Sequence, residues 1–228
     1  MTITELKAKS LTLTNVADEG VSAGRKLGKR LLDLAIAIPA LIASAPILLL
    51  GMLLMQLADP GSVLFRQTRI GRGERPFTML KLRTMRRGND DSAFREFNTR
   101  ELRGEPNPTG DGILRLENDP RLLPMSRFLR RSSIDELPQL VNVILGDMSI
   151  VGPRPSLPWE VELFTPEQRR RHAVLPGITG LWQVSGRNRL NMQQMLALDL
   201  VYVEQQSFLL DLKILWQTVP AVLLGHTR

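Results

Sequence analysis

The densest group of residue types able to do chemistry is Arg130-Arg131-Ser132-Ser133-Ile134-Asp135-Glu136-Leu137-Pro138-Gln139. Two adjacent carboxylates follow two arginines. Taken alone, the segment reads as a helix start. Ser133 is a good N-cap, Glu136 completes a capping box, and both acids suit the positive end of a helix dipole. Its surroundings suggest more. Gly152-Pro153-Arg154-Pro155 follows closely, and prolines on both sides of Arg154 hold its backbone extended. A stiff arginine of this kind suits a fixed anion contact. Further on, Pro176-Gly177-Ile178-Thr179-Gly180 and Gly186-Arg187-Asn188 are turn-rich segments whose amides can cradle phosphate.

These parts together suit phosphoryl transfer. A carboxylate can attack phosphorus and split one displacement into two. Cations must then neutralise a diphosphate. Asp135 and Glu136 can supply a nucleophile and ligands for Mg²⁺, which commonly takes one or two carboxylates plus substrate phosphates. Other classes fit poorly. The chain has no P-loop, no G-x-G-x-x-G, no G-x-S-x-G and no H-E-x-x-H. His172 and His226 are its only histidines, which disfavours a histidine-based triad. His172, after three arginines, reads as an exposed helix residue rather than a ligand. The absence of cysteine excludes disulfides and thiolate chemistry.

The elements that must position these groups begin with a membrane segment. Residues 1–28 read as a flexible leader. From Leu34 to Ala58 no residue is charged, and a straight helix over this stretch would reach roughly 37 Å, enough to cross a hydrocarbon core. Pro39 and Pro46 lie inside it, however, and both flanks are basic: Lys26, Lys29 and Arg30 before, Arg66, Arg69, Arg72 and Lys81 after. The positive-inside rule then puts both ends on the cytoplasmic side. The expected segment, residues 29–60, is a re-entrant helix bent at Pro46, with Ser44 bonding a carbonyl freed there. Residues 61–228 form a cytosolic domain. Within it, Val63–Leu82 predicts a hairpin, and Gly88–Gly112 a loop with one helical turn near Phe94. Thr165-Pro166-Glu167-Gln168 predicts a capped helix start. Ser207–Leu224 predicts an amphipathic helix with Trp216 suited to headgroup level, or equally a helix packed on the core.

The net charge of +7 calls for an anionic partner. Nucleic acid is disfavoured, since aromatics are 5% of the chain and Tyr202 is the only tyrosine. A non-catalytic, membrane-anchored basic module is the rival reading. It explains the anchor and the charge but not the paired carboxylates among arginines.

The ordered set Lys29-Arg30-Leu31-Leu32-Asp33, Pro46, Phe65-Arg66-Gln67, Lys81-Leu82-Arg83-Thr84-Met85, Asp119-Pro120-Arg121, Asp135-Glu136-Leu137-Pro138-Gln139, Gly146-Asp147-Met148-Ser149 and the three Gly- and Pro-containing segments above resembles the bacterial sugar transferases, the monotopic polyprenyl-phosphate phosphoglycosyl transferases. The resemblance covers Lys29 to about Val219. It implies a mainly α fold with a small β-hairpin, a re-entrant helix broken at proline, and interfacial amphipathic helices. It implies Asp135 as nucleophile, with Glu136 assisting through Mg²⁺ or proton transfer. Arg130, Arg154, Lys81 and Arg187 match substrate or phosphate positions. The implied partners are a UDP-sugar, polyprenyl phosphate and bacterial inner-membrane lipids at the cytoplasmic face. Ala45 stands where the family typically has Ser before the proline. Which sugar is moved, and whether the chain is a homodimer, are left open.

Overall fold

The structure is a computed structural model that describes residues 23–86, 91–105, 126–186 and 190–223. Most of the expected leader, the Asp119-Pro120-Arg121 segment, Arg187, Asn188 and His226 lie outside the described residues.

The described chain is mainly helical, with one antiparallel strand pair and one long apolar helix near its N-terminus. That helix, α1, spans Ala23–Ala58. It starts six residues before the expected boundary at Lys29, so residues 23–28 are helical rather than leader. Buried positions Asp33, Ala37, Ser44, Leu48, Gly51 and Met55 recur at helical spacing and form one stripe against the rest of the protein. The opposite side exposes Leu31, Ile38, Ile42, Leu49, Leu53 and Leu57. Only 22% of its most apolar window is buried, so most of this surface needs a non-protein solvent. By length and composition Lys26–Ala58 can cross a membrane. Pro39 and Pro46 both sit on the outward face, and the helical pattern runs through them. A proline opens a helix on its own side, so prolines here favour bending toward the protein. Ser44 Oγ donates to Leu41 O at 3.2 Å. That carbonyl lies one residue before Ile42, the one deprived of its donor by Pro46.

Both ends of α1 hold the same body. Lys29 Nζ donates to Asp211 Oδ2 at 2.8 Å and to Val151 O at 3.0 Å. Arg30 donates to the carbonyls of Val143 and Ile144. Buried Asp33 accepts from Ser149 Oγ and Ile150 N at 2.8 and 2.9 Å. At the far end Asp59 pairs with Arg83 at 2.9 Å.

The expected hairpin is β1 (Leu64–Ile70) and β2 (Pro76–Leu82), antiparallel, with Leu64 opposite Leu82 and Ile70 opposite Pro76. Its turn holds Gly73 and Glu74 at positive φ, 65° and 57°. Helix α2 spans Ser92–Leu102, a full element where one turn was expected. The Gly- and Asn-rich flank disguised it; Phe97 and Leu102 are buried, and Leu102 joins Val161, Phe164, Met192 and Leu196 in one apolar cluster.

Next come α3 (Ser126–Arg131), a single 3-10 turn at Ile134–Glu136, and α4 (Gln139–Leu145). Strand β3 (Ser149–Val151) pairs in parallel with β4 (Gly177–Thr179). Between them lie α5 (Pro158–Leu163) and α6 (Pro166–Arg169), the latter with the expected capping box between Thr165 and Gln168. Helices α7 (Leu181–Ser185), α8 (Met192–Gln205) and α9 (Phe208–Leu223) complete the fold. Helix α9 packs one face on the core and leaves the other exposed. Ile214 and Asp211 are buried in the protein, while Leu209 is 77% and Trp216 81% exposed.

The main core joins Ala37 of α1 to Met79, Leu140, Val143, Met148, Ile150, Val151, Tyr202 and Ile214. A second cluster joins Leu48 and Met55 to Leu82 and Leu129, with Ile134 and Leu137 packed on it.

Candidate active site

The turn carrying Asp135 is not the helix start expected from its sequence. Ser133 has φ 56°, in the left-handed region, and its side chain makes no cap bond. Pro138 has no N–H, so an i→i−4 bond to Ile134 O cannot form. Leu137 N bonds Ile134 O instead, closing one 3-10 turn, and α4 begins after the proline. Glu136 is thereby released from the capping role, and its Oε1 accepts from Lys81 Nζ at 2.8 Å.

Each neighbour is fixed by its own element. Lys81 projects from β2, whose outer edge is held by buried Asn142: Leu80 N donates to its Oδ1 at 3.0 Å, and its Nδ2 donates to Thr78 O at 2.8 Å. Arg130 lies on α3 and donates from Nε to Thr84 Oγ1 at 3.0 Å, while Ser126 Oγ donates to Thr84 O. Apolar Ile134 and Leu137, on either side of the dyad, pack on the cluster built around Leu48 and Met55 of α1. The long apolar helix therefore sets the position of the carboxylates.

Asp135 is 7% exposed. Burial, and then the charge of Glu136, push its carboxyl up to about 6, against the opposing pull of Lys81 and Arg130. Three of the expected site residues thus share the electrostatic field of the fourth.

Arg154 belongs to an adjacent cationic group. Arg69, on β1, is buried; burial and then Arg154 pull its guanidinium down to about 9, opposed by Glu160 and Glu136. Arg69 therefore feels the charges of both Arg154 and Glu136. Arg171 pairs with buried Asp199 at 2.5 Å and donates to Arg154 O at 2.8 Å. Sequence reasoning counted Arg69 only as flanking charge and missed Asp199. The signal for Asp199 is an acid inside the apolar run of α8, a place where a carboxylate needs a partner. Thr84 had no comparable signal.

His172 corrects a further expectation. It is buried, not exposed, with Nε2 3.1 Å from Ser156 Oγ and its ring stacked on Phe164. Burial, then Arg171 and Arg169, push it down to about 3, so it is neutral. Among the described residues no three His, Cys, Asp or Glu side chains converge on a metal position.

The carboxylate pair of buried Asp135 and part-exposed Glu136, in the field of Lys81 and Arg130 on a body tied to one long apolar helix, agrees with a comparison to known families. The model of the bacterial sugar transferases matches residues 24–225. This chain belongs to that family. The transferase is 42% identical over 204 residues to the exopolysaccharide production protein ExoY of Sinorhizobium fredii, covering 88% of this chain and 87% of the relative. It is 40% identical over 206 residues to the UDP-glucose:undecaprenyl-phosphate glucose-1-phosphate transferase of Caulobacter vibrioides, covering 86% and 70%. It is 36% identical over 197 residues to the undecaprenyl-phosphate galactose phosphotransferase of Salmonella typhimurium, covering 86% of this chain and 40% of that longer protein. The two last names carry different sugars, so membership does not fix the sugar that this transferase moves.

Proposed function

We propose that this sugar transferase moves a sugar 1-phosphate from a UDP-sugar to a polyprenyl phosphate at the cytoplasmic face of a bacterial inner membrane, through a covalent intermediate on Asp135. The observation that carries the reading is the placement of Asp135. It is a buried carboxylate between Lys81 and Arg130, on a turn seated against the long apolar helix.

The ionised Asp135 attacks the sugar-proximal phosphorus. An acyl phosphate bond forms, the bond to the bridging oxygen breaks, and UMP leaves. An oxygen of the polyprenyl phosphate then attacks the same phosphorus. The lipid diphosphosugar forms and the Asp135 carboxylate is released. Burial suits this role, because a poorly solvated carboxylate is a stronger nucleophile and is protected from competing water. Lys81 holds Glu136 in place at 2.8 Å and, with Arg130, supplies positive charge where the diphosphate must sit. Arg154 and Arg187 are further phosphate contacts in this reading.

The donor set fits Mg²⁺. Asp135 and Glu136 repel one another, and a shared divalent cation would relieve that repulsion. Its remaining ligands would come from phosphate and water. Bound there, it would neutralise the donor's diphosphate.

Several observations support a re-entrant rather than a crossing segment. Arg30 and Asp59, near the two ends of α1, touch the same body, and both prolines face outward. Basic flanks then assign the cytoplasmic side. The exposed apolar face of α9, with Trp216, suits the same interface. A lipid phosphate stays at the headgroup plane, so shallow insertion brings the dyad to its acceptor.

The test is Asp135→Asn in the full chain with polyprenyl phosphate and a panel of UDP-sugars, measuring UMP release. The expected result is loss of transfer with membrane association intact. Turnover near that of the parent protein would rule out Asp135 as nucleophile.

A further inference from the structure

The segment between β3 and α5 is held almost atom by atom. Gly152 N donates to Thr179 O at 2.9 Å, and Gly177 N donates to Pro153 O at 2.8 Å. Arg171 Nη2 donates to Arg154 O at 2.8 Å, and Arg69 Nη1 donates to Pro155 O at 3.0 Å. Ile70 N donates to Ser156 O at 2.9 Å. Glycines make the approach possible: a Cβ on Gly177 would lie 2.1 Å from Gly152 N, and one on Gly180 2.3 Å from Gly152 O. The two arginines are themselves anchored. Arg69 donates from Nε and Nη2 to Gln67 Oε1 at 3.0 and 2.7 Å. Arg171 is paired with Asp199.

The contrast lies in Arg154. Its backbone is fixed on both sides, yet its half-buried guanidinium makes no hydrogen bond or ion pair with the described residues. Placing two more guanidiniums beside it is costly: burial first, and then the charge of Arg154, lower the proton affinity of Arg69. Using buried arginines as donors to plain backbone carbonyls is an expensive way to hold a loop, since a neutral donor would serve. The arrangement becomes economical when an anion arrives at the one uncommitted guanidinium, which the other two hold in place through its main chain.

We propose that Arg69 and Arg171 are positioning residues that clamp the Arg154 loop through its main-chain carbonyls and hold the Arg154 guanidinium for the donor's nucleotide phosphates. Neither touches the nucleotide; both act through Arg154. The inference rests on the proposed phosphate contact of Arg154.

The experiment is a double-mutant cycle on UDP affinity, with the full chain in detergent and MgCl₂ present. The variants are Arg154→Ala, Arg69→Met and both together. Thermal unfolding is recorded separately. Arg154→Ala is expected to weaken UDP binding at least about tenfold, the loss of a charge-assisted contact. Arg69→Met is expected to weaken it about tenfold by releasing the loop. The double variant should bind UDP no more weakly than Arg154→Ala alone, because Arg69 has nothing left to position. If Arg69→Met does not fold, Arg171→Lys replaces it. That change keeps a charge opposite Asp199, but its single ammonium cannot also hold Arg154 O in the same geometry. Multiplying losses would overturn the clamp, and so would a parent-like affinity in Arg69→Met. Unchanged affinity in Arg154→Ala would instead overturn the phosphate contact on which the clamp depends.

Discussion

Replacing Arg171 with methionine should unfold the protein easily at neutral pH, and removing Asp199 as well should restore it. The two side chains are 5% and 1% exposed. Asp199 Oδ1 and Arg171 Nε have no hydrogen-bond partner, so their desolvation is incompletely repaid. Burial is the largest influence on Asp199 and outweighs the attraction of Arg171, which leaves its carboxyl raised to about 6. Removing one member of such a pair typically costs about 3–5 kcal/mol, whereas replacing both with apolar groups is often neutral. For a chain of this size, the single change corresponds to a fall in Tm of roughly 6–20 °C. Arg171→Met/Asp199→Leu should stay within about 1 kcal/mol of the parent protein. The pH dependence has a definite sign. With a folded pKa above its unfolded value, Asp199 favours the folded state most at acid pH, and that contribution is lost as pH rises through the folded pKa. Without Arg171 the carboxyl rises further, so the Asp199 part of the deficit of Arg171→Met against the parent protein should shrink as pH falls toward about 6, where the parent carboxyl begins to take up its proton. Burial, then Arg171, lowers the proton affinity of His172, so losing Arg171 eases its protonation and shifts the deficit in the same direction at acid pH. Thermal unfolding in detergent at pH 7.5 and 5 measures both effects. A double variant as unstable as the single one would refute the argument. The penalty would then come from lost packing on Phe164 and the lost bond to Arg154 O, not from a stranded charge.

Lys81→Met should lower the rate of UMP release by about a hundredfold with little change in Tm, since Lys81 is part-exposed but holds Glu136; single-turnover kinetics measure it. The rate should also fall tenfold per pH unit on the acid side, because Asp135 must be ionised to attack; burial and then Glu136 raise its carboxyl to about 6, and bound Mg²⁺ would move that limb to lower pH. In Arg130→Gln, with one stabilising cation gone, that acid limb should move to higher pH. Gly177→Ala should prevent β3 and β4 from pairing, since the new Cβ meets the Gly152 main chain; loss of cooperative unfolding is the readout.

Sequence alone determined the local features. The hairpin follows from apolar stretches around Gly71, Gly73 and Pro76, and the capped start at Thr165 from side-chain chemistry within four residues. The apolar helix follows from its uncharged run, and Asp135, Glu136 and Arg154 are singled out by residue types in unusual neighbourhoods. Each signal is carried by adjacent residues, so no knowledge of the fold was needed. Tertiary structure decided what depends on distance through space. Ser133 and Glu136 look like a capping box, yet Glu136 pairs with Lys81, 55 positions away, which no local pattern encodes. His172 sits among arginines and reads as exposed, but Phe164 and Ser156 bury it. Arg69 passes for surface charge in the sequence but is buried in the fold, bonded to Gln67 and to Pro155 O. A charge looks the same in sequence whether water or protein surrounds it. Only the packed chain fixes its dielectric surroundings and partners, and those decide whether it is solvated, paired or poised to react.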